Sequence, residues 1–216
     1  MEQHIYVISG LGADHTAFSK LNLPGYKMVH IEWVQTIKNE SMRDYAKRLL
    51  PQIKEENPII MGLSLGGMLA VEVGNLIPTK KVISISSIIN YSELSFYFKV
   101  ASWFNLYKIL PIYYFSKGNR WTHWLFGVKS KADKEILNAI LNNLEPDFLS
   151  WALDAILHWN KHETPSKLFR IHGDADKVLF KNSKSTYDSV IPGGTHFMVL
   201  VKSAEVSEAI LKGLKM

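Results

Sequence analysis

The chain has 216 residues, of which 47% are hydrophobic and 21% charged, enough apolar material for a buried core and too little charge for a disordered chain. Its net charge of +5 comes without any run of five or more basic residues, so a nucleic-acid groove is not expected. Cysteine is absent, which excludes disulfides, thiol nucleophiles and Cys-ligated zinc or iron–sulfur clusters.

The amino terminus reads MEQHIYVISG. It has no basic lead and no long apolar core, so a signal peptide is not expected and the chain reads as cytoplasmic. Residues 4–9 (HIYVIS) have strand character, and Asp14 to Leu21 has helical spacing with Asp14 as cap. Tyr26 to Trp33 reads as a second strand. Ser41 to Lys54 presents Met42, Tyr45, Ala46, Leu49 and Ile53 on one helical face, with Ser41 and Asp44 resembling a capping box and Pro51 set to kink or end the helix. Ile59 to Gly62 is a third strand and Ser64 to Leu76 a third helix. Lys81 to Ser86, Lys167 to His172 and Tyr187 to Ile191 supply strands four to six, and Ser203 to Leu214 a closing helix. Strands separated by helices imply right-handed crossovers and a mostly parallel sheet.

Residues 88–166 break this alternation. They hold Trp103, Trp121, Trp124, Trp151 and Trp159, and they read as a helical cap inserted in a core made of residues 1–87 and 167–216. The aromatic density fits either the cap's own core or the wall of an apolar pocket. Phe96 to Phe115 is long enough to span a bilayer. Lys99, Asn105, Lys108 and Pro111 interrupt it, and charges at mid-membrane are costly, so no membrane span is expected.

The strongest chemical signal is Gly62-Leu63-Ser64-Leu65-Gly66, a G-x-S-x-G between a strand and a helix. A nucleophilic serine needs such a tight turn to project its Oγ from the sheet edge, and flanking glycines let neighbouring backbone approach. Serine also needs a base. Of the eight histidines, His196 stands apart, because Gly193-Gly194-Thr195-His196-Phe197 follows the last strand in a loop that can return an imidazole to the sheet edge. His158 and His162 have metal-ligand spacing, but the segment HWNKH lacks the Glu of H-E-x-x-H and has no evident third ligand, so no metal is expected. After the fifth strand, Gly173-Asp174-Ala175-Asp176 places two carboxylates where open α/β sheets build their sites. Either can orient the imidazole. Gly10-Leu11-Gly12, with Glu32 about twenty residues on, also invites a dinucleotide-binding reading, but His15 stands where the third glycine belongs.

With Ser64, an Asp and His196 in that chain order, the sequence resembles the α/β-hydrolase superfamily over nearly all its length outside 88–166. The resemblance implies a three-layer α/β/α fold of about six mostly parallel strands, compact because the two amino-terminal strands of larger members have no counterpart. It selects Asp176 as the acid and leaves Asp174 as a loop residue. It also implies an oxyanion hole from the Leu11 and Leu65 amides, with Ser9-Gly10 where the family often has His-Gly, a change that leaves the backbone donor intact. The implied activity is cofactor-free hydrolysis of an ester or thioester, and the aromatic cap points to a small or medium apolar acyl group on a small-molecule substrate. A ligand-binding or partner-binding protein with an idle triad, or a C–C bond-cleaving lyase, would use the same scaffold.

Overall fold

The computed structural model describes residues 3–94, 118–159, 163–182 and 185–216. Six strands form one sheet in the order β2-β1-β3-β4-β5-β6. They are β1 Gln3–Ile8, β2 Tyr26–His30, β3 Ile59–Leu63, β4 Lys81–Ile85, β5 Leu168–Gly173 and β6 Ser189–Ile191. Every pairing is parallel, so the carboxyl ends of all the strands share one edge. The sheet winds outward in both directions from β1 and β3. The crevice between those strands at the carboxyl edge is the topological switch point, where such sheets place their ligands.

β3 is buried along its whole length, as expected of a run, IIMGL, without polar alternation. One apolar layer gathers Ile5, Val7, Met61, Ile83, Phe169 and Ile210; the opposite layer gathers Tyr6, Ile8, Ile60, Leu69, Val82 and Tyr45. The alternation between layers along β1 follows the two-residue period of a strand.

The helices of the first half are α1 Met42–Leu49 and α2 Leu65–Leu76. Ser41 caps α1 by accepting from the Asp44 amide at 3.1 Å, and the chain tightens into a 3-10 turn over Leu50–Gln52, with Pro51 at its start. The Asp14–Leu21 stretch forms only a single 3-10 turn, His15–Phe18, with Asp14 accepting from the Thr16 amide at 2.9 Å. β2 ends earlier than its composition suggests. Ile31 still donates to Val7 O at 2.9 Å, after which the chain leaves the sheet and Trp33 donates its indole N–H to Ala13 O at 2.9 Å. Tyr45 closes this corner by donating to Val34 O and accepting from Val34 N; burial pushes its phenol up to about 12.

Within residues 88–166 the described part contains a 3-10 turn, Tyr91–Glu93, and three α-helices, α3 Arg120–Phe126, α4 Lys131–Asn142 and α5 Pro146–Leu157. They join both apolar layers: Leu137, Ile140 and Leu141 of α4 belong to one, and Trp151, Ala152 and Ala155 of α5 to the other. The apolar stretch Phe96 to Phe115, with Trp103, lies outside the described residues. Among the described residues no helix is long and apolar enough to cross a membrane. The chain closes with α6 Met198–Val201 and α7 Ser203–Lys215.

Two ion pairs, one buried on both sides and one with a part-exposed arginine, lie between segments far apart in sequence. Arg170 on β5 donates from both terminal nitrogens to Glu93, at 3.0 and 2.7 Å, and Glu93 also accepts from Ser185 Oγ and Ile89 N. Glu72 of α2 is fully buried, accepting from the Trp159 indole at 2.6 Å and from Arg43 at 3.3 Å.

Candidate active site

Ser64 stands between β3 and α2 with φ 54 and ψ −117. This is the left-handed side of backbone space, which L residues avoid unless the surroundings fix them there. The surroundings do so here. Ser64 N donates to Ile85 O at 2.9 Å, its carbonyl accepts from Gly67 N and Met68 N, and Ser87 Oγ donates to the same carbonyl at 2.6 Å. The motif glycines follow from contact distances. A Cβ on Gly62 would lie 2.0 Å from Gly66 O, and one on Gly66 would lie 2.2 Å from the carbonyl oxygens of both Ile8 and Ser9. The turn is tight enough that only glycine fits at either flank.

The last two strands of the sheet, β5 and β6, deliver the remaining groups. The loop after β5 carries Asp176, which is 3% exposed, and the loop after β6 carries His196, which is 4% exposed. The two loops are held together at Gly173 and Gly194: a Cβ on Gly173 would lie 2.1 Å from Gly194 O, and Ala175 N donates to that oxygen at 2.9 Å. Asp174, exposed at the surface, accepts from Gly193 N at 2.6 Å. It braces the histidine loop from outside the imidazole chain. Asp176 Oδ1 accepts from the amides of Val178 and Leu179 at 2.8 and 2.9 Å. Its Oδ2 lies 2.8 Å from His196 Nδ1, and His196 Nε2 lies 3.0 Å from Ser64 Oγ.

The chemistry of the partners assigns the proton positions. A buried carboxylate accepts, so His196 carries its hydrogen on Nδ1 and turns an Nε2 lone pair toward the serine hydroxyl. The hydroxyl then donates to Nε2. Ser64, His196 and Asp176 thus form one hydrogen-bonded chain leading from a half-buried hydroxyl to a buried, fully bonded carboxylate. Asp174 is not part of it.

The loop after β1 passes beside this chain. A Cβ on Gly10 would lie 3.7 Å from Ser64 Cβ. The loop is pinned at Ala13, whose carbonyl accepts from Ser9 Oγ and from the Trp33 indole. Leu11 follows Gly10 in a turn closed by Ala13 N donating to Gly10 O at 2.9 Å, and Leu65 is the first residue of α2, where helix amides have no intrahelical acceptor.

Several neighbours were not legible in the motifs. Phe126, at the end of α3, sets its ring edge-on to His196 with centroids 5.5 Å apart, and Phe197 N donates to Phe126 O at 3.3 Å. His172 on β5 is 1% exposed and donates Nε2–H to Leu179 O at 2.8 Å. Burial holds its imidazole below the ordinary histidine value, although the Asp176 carboxylate pulls the other way. Of the candidate metal pair, His158 is exposed and lies 3.4 Å from Asp154, whereas His162 lies outside the described residues. Among the described residues no three His, Cys, Asp or Glu side chains gather as a metal site.

A parallel sheet of this order, with a serine elbow after β3 and Asp- and His-bearing loops after β5 and β6, defines the α/β-hydrolase fold. Comparison with known structures agrees over the whole chain. A bromoperoxidase from Bacillus anthracis superposes with a TM-score of 0.68 at 18% identity, covering 100% of this chain and 93% of that one. A hydrolase from Pseudomonas aeruginosa gives 0.72 at 12% identity over 100% and 91% of the two chains. A thermophilic esterase from Thermogutta terrifontis gives 0.69 at 13% identity over 99% and 89%. No protein-family model and no curated protein sequence matches the chain.

Proposed function

We propose that the protein is a serine hydrolase that transfers an acyl group from an ester or thioester to water. The observation that carries this reading is the hydrogen-bonded chain from Ser64 Oγ through His196 to Asp176. As the hydroxyl attacks the substrate carbonyl carbon, its proton passes to His196 Nε2, and the imidazolium that forms is stabilised by Asp176. The negative charge on the carbonyl oxygen is met by the Leu11 and Leu65 amides. Such donors contribute several kcal/mol, about 3 for one. Collapse of the tetrahedral intermediate breaks the bond to the alcohol or thiol, which takes the proton from His196. Water then repeats the sequence and releases the acid.

Residues 88–166 act in this reading as a cap inserted in the core. Its support is the packing of α3 and the residues just after α4 on the site loops: Phe126 rests on His196, and a Cβ on Gly12 would lie 2.9 Å from the Leu144 side chain. Phe126 next to the imidazole favours an apolar acyl group of small or medium size.

The test is a panel of p-nitrophenyl esters and matched thioesters graded by acyl length and charge. Turnover of short and medium apolar acyl groups, lost in Ser64→Ala at unchanged Tm, is the expected outcome. Unchanged turnover in Ser64→Ala overturns the mechanism, and a preference for charged acyl groups overturns the substrate class.

A further inference from the structure

A cleft of about 940 Å³ opens between the chain leaving β2, the turn joining α4 to α5 and helix α5, with Gly12 of the β1 loop in its wall, and it is lined by neither Ser64 nor His196. Its volume is that of a site for a drug-sized molecule. Its aromatic wall is Trp33 and Phe148, with rings 5.0 Å apart and edge-to-face, backed by Trp151 with its ring 5.5 Å from Phe148. Both indole N–H groups are already used. Trp33 donates to Ala13 O and Trp151 to Glu40 O, each at 2.9 Å. What the wall offers a ligand is therefore apolar ring surface, held rigidly, and no hydrogen-bond donor.

Among the described residues, the charged side chains lining the cleft are Glu145, Asp147 and Asp154, the last paired with His158 at 3.4 Å, against Lys38. Local charge is thus negative in a chain whose net charge is +5. Anions, which the overall charge attracts, are disfavoured in this cleft, while a cation meets the Glu145 and Asp147 carboxylates beside the aromatic residues Trp33 and Phe148. That combination recognises alkylammonium groups.

We propose that this cleft binds a small organic cation, an ammonium or quaternary ammonium group on a short apolar body. The site goes beyond the acyl-transfer reading and stands without it. The experiment is calorimetry at low salt with choline and with 3,3-dimethylbutan-1-ol, which has the same shape without the charge, on the wild-type chain and on Ser64→Ala. Choline is expected to bind at least about ten-fold tighter than the neutral alcohol and equally well to both proteins. Asp147→Asn, at an exposed position, is expected to weaken choline about three-fold, and Trp33→Leu about ten-fold. Because Trp33 also pins Ala13, Asp147→Asn decides the matter if Trp33→Leu does not fold. Equal binding of the two probes, binding of neither, or choline binding untouched by Asp147→Asn would each overturn the proposal. Since Ser64→Ala is expected to bind normally, its loss of acyl transfer and the cleft's loss of binding are read separately.

Discussion

Replacing Asp176 by Asn tests the site at its deepest point. Oδ1 of Asp176 accepts from two backbone amides, Val178 N and Leu179 N. In Asp176→Asn the new side chain must keep its amide oxygen there, because an NH2 group would face two donors. The NH2 is then turned toward His196 Nδ1, where Oδ2 stood at 2.8 Å. His196 must accept on Nδ1 and carry its hydrogen on Nε2, so it presents a donor to Ser64 and has no lone pair to take the serine proton. In Ser-His-Asp enzymes this change of tautomer costs about 10⁴ in rate, or about 5.5 kcal/mol in the barrier. The shape of the site is preserved and no charge is left buried without a partner, so Tm should move little. Asp174→Asn removes only a carboxylate that braces Gly193 at the surface and is expected to cost less than about five-fold in rate. The assay is the second-order rate of inactivation by a fluorophosphonate, which needs no knowledge of the substrate. An Asp176→Asn protein that keeps more than about a tenth of the wild-type rate, or an Asp174→Asn protein that loses most of it, would refute the reasoning.

Two further expectations concern the frame around the site. Glu93→Gln leaves Arg170 buried with a weaker partner; breaking such a pair costs about 3–5 kcal/mol, read by calorimetry as a fall in Tm of roughly 10 °C for a chain of this size, whereas a fall under about 2 °C would contradict it. His172, held below its ordinary value by burial, is neutral in the folded protein, while the unfolded chain takes up a proton near pH 6.5, roughly its free value. The unfolded state therefore holds more protons just below that pH, and the stability His172 contributes is present above about 6.5 and lost as pH falls through its folded value. Urea unfolding at pH 7.5 and 5.5 should show the loss, and His172→Gln should show less of it; equal losses in both proteins would assign the effect elsewhere.

Much of the frame was legible in the sequence because it rests on local rules. IIMGL followed by a glycine-flanked serine reads as a buried strand entering an elbow, and the order of Ser64, Asp176 and His196 follows the strand order. Periodicity set Ser41 as the cap of α1 and Pro51 as its end. The errors lie where tertiary contacts override local preference. Tyr187 and Asp188 have strand character, yet β6 begins at Ser189, because Asp188 accepts from Arg170 N at 2.7 Å and Tyr187 packs under the Arg170 guanidinium. β2 stops at His30 because Trp33 finds its acceptor on the β1 loop. The Arg170–Glu93 pair, the approach of Phe126 to His196 and the acidic aromatic cleft join positions far apart in the chain. No spacing rule within one segment contains them. Asp176 and Asp174 were alike on local chemistry; the family resemblance selected Asp176, and burial with hydrogen-bond partners gives the physical difference between them.

The most direct test of the account is labelling of the purified protein with a fluorophosphonate, read by peptide mass spectrometry, with His196→Ala alongside. One modified peptide is expected, carrying the adduct on Ser64, at a rate that falls at least about a thousand-fold in His196→Ala. Labelling elsewhere, or labelling of Ser64 at the same rate without His196, would contradict it.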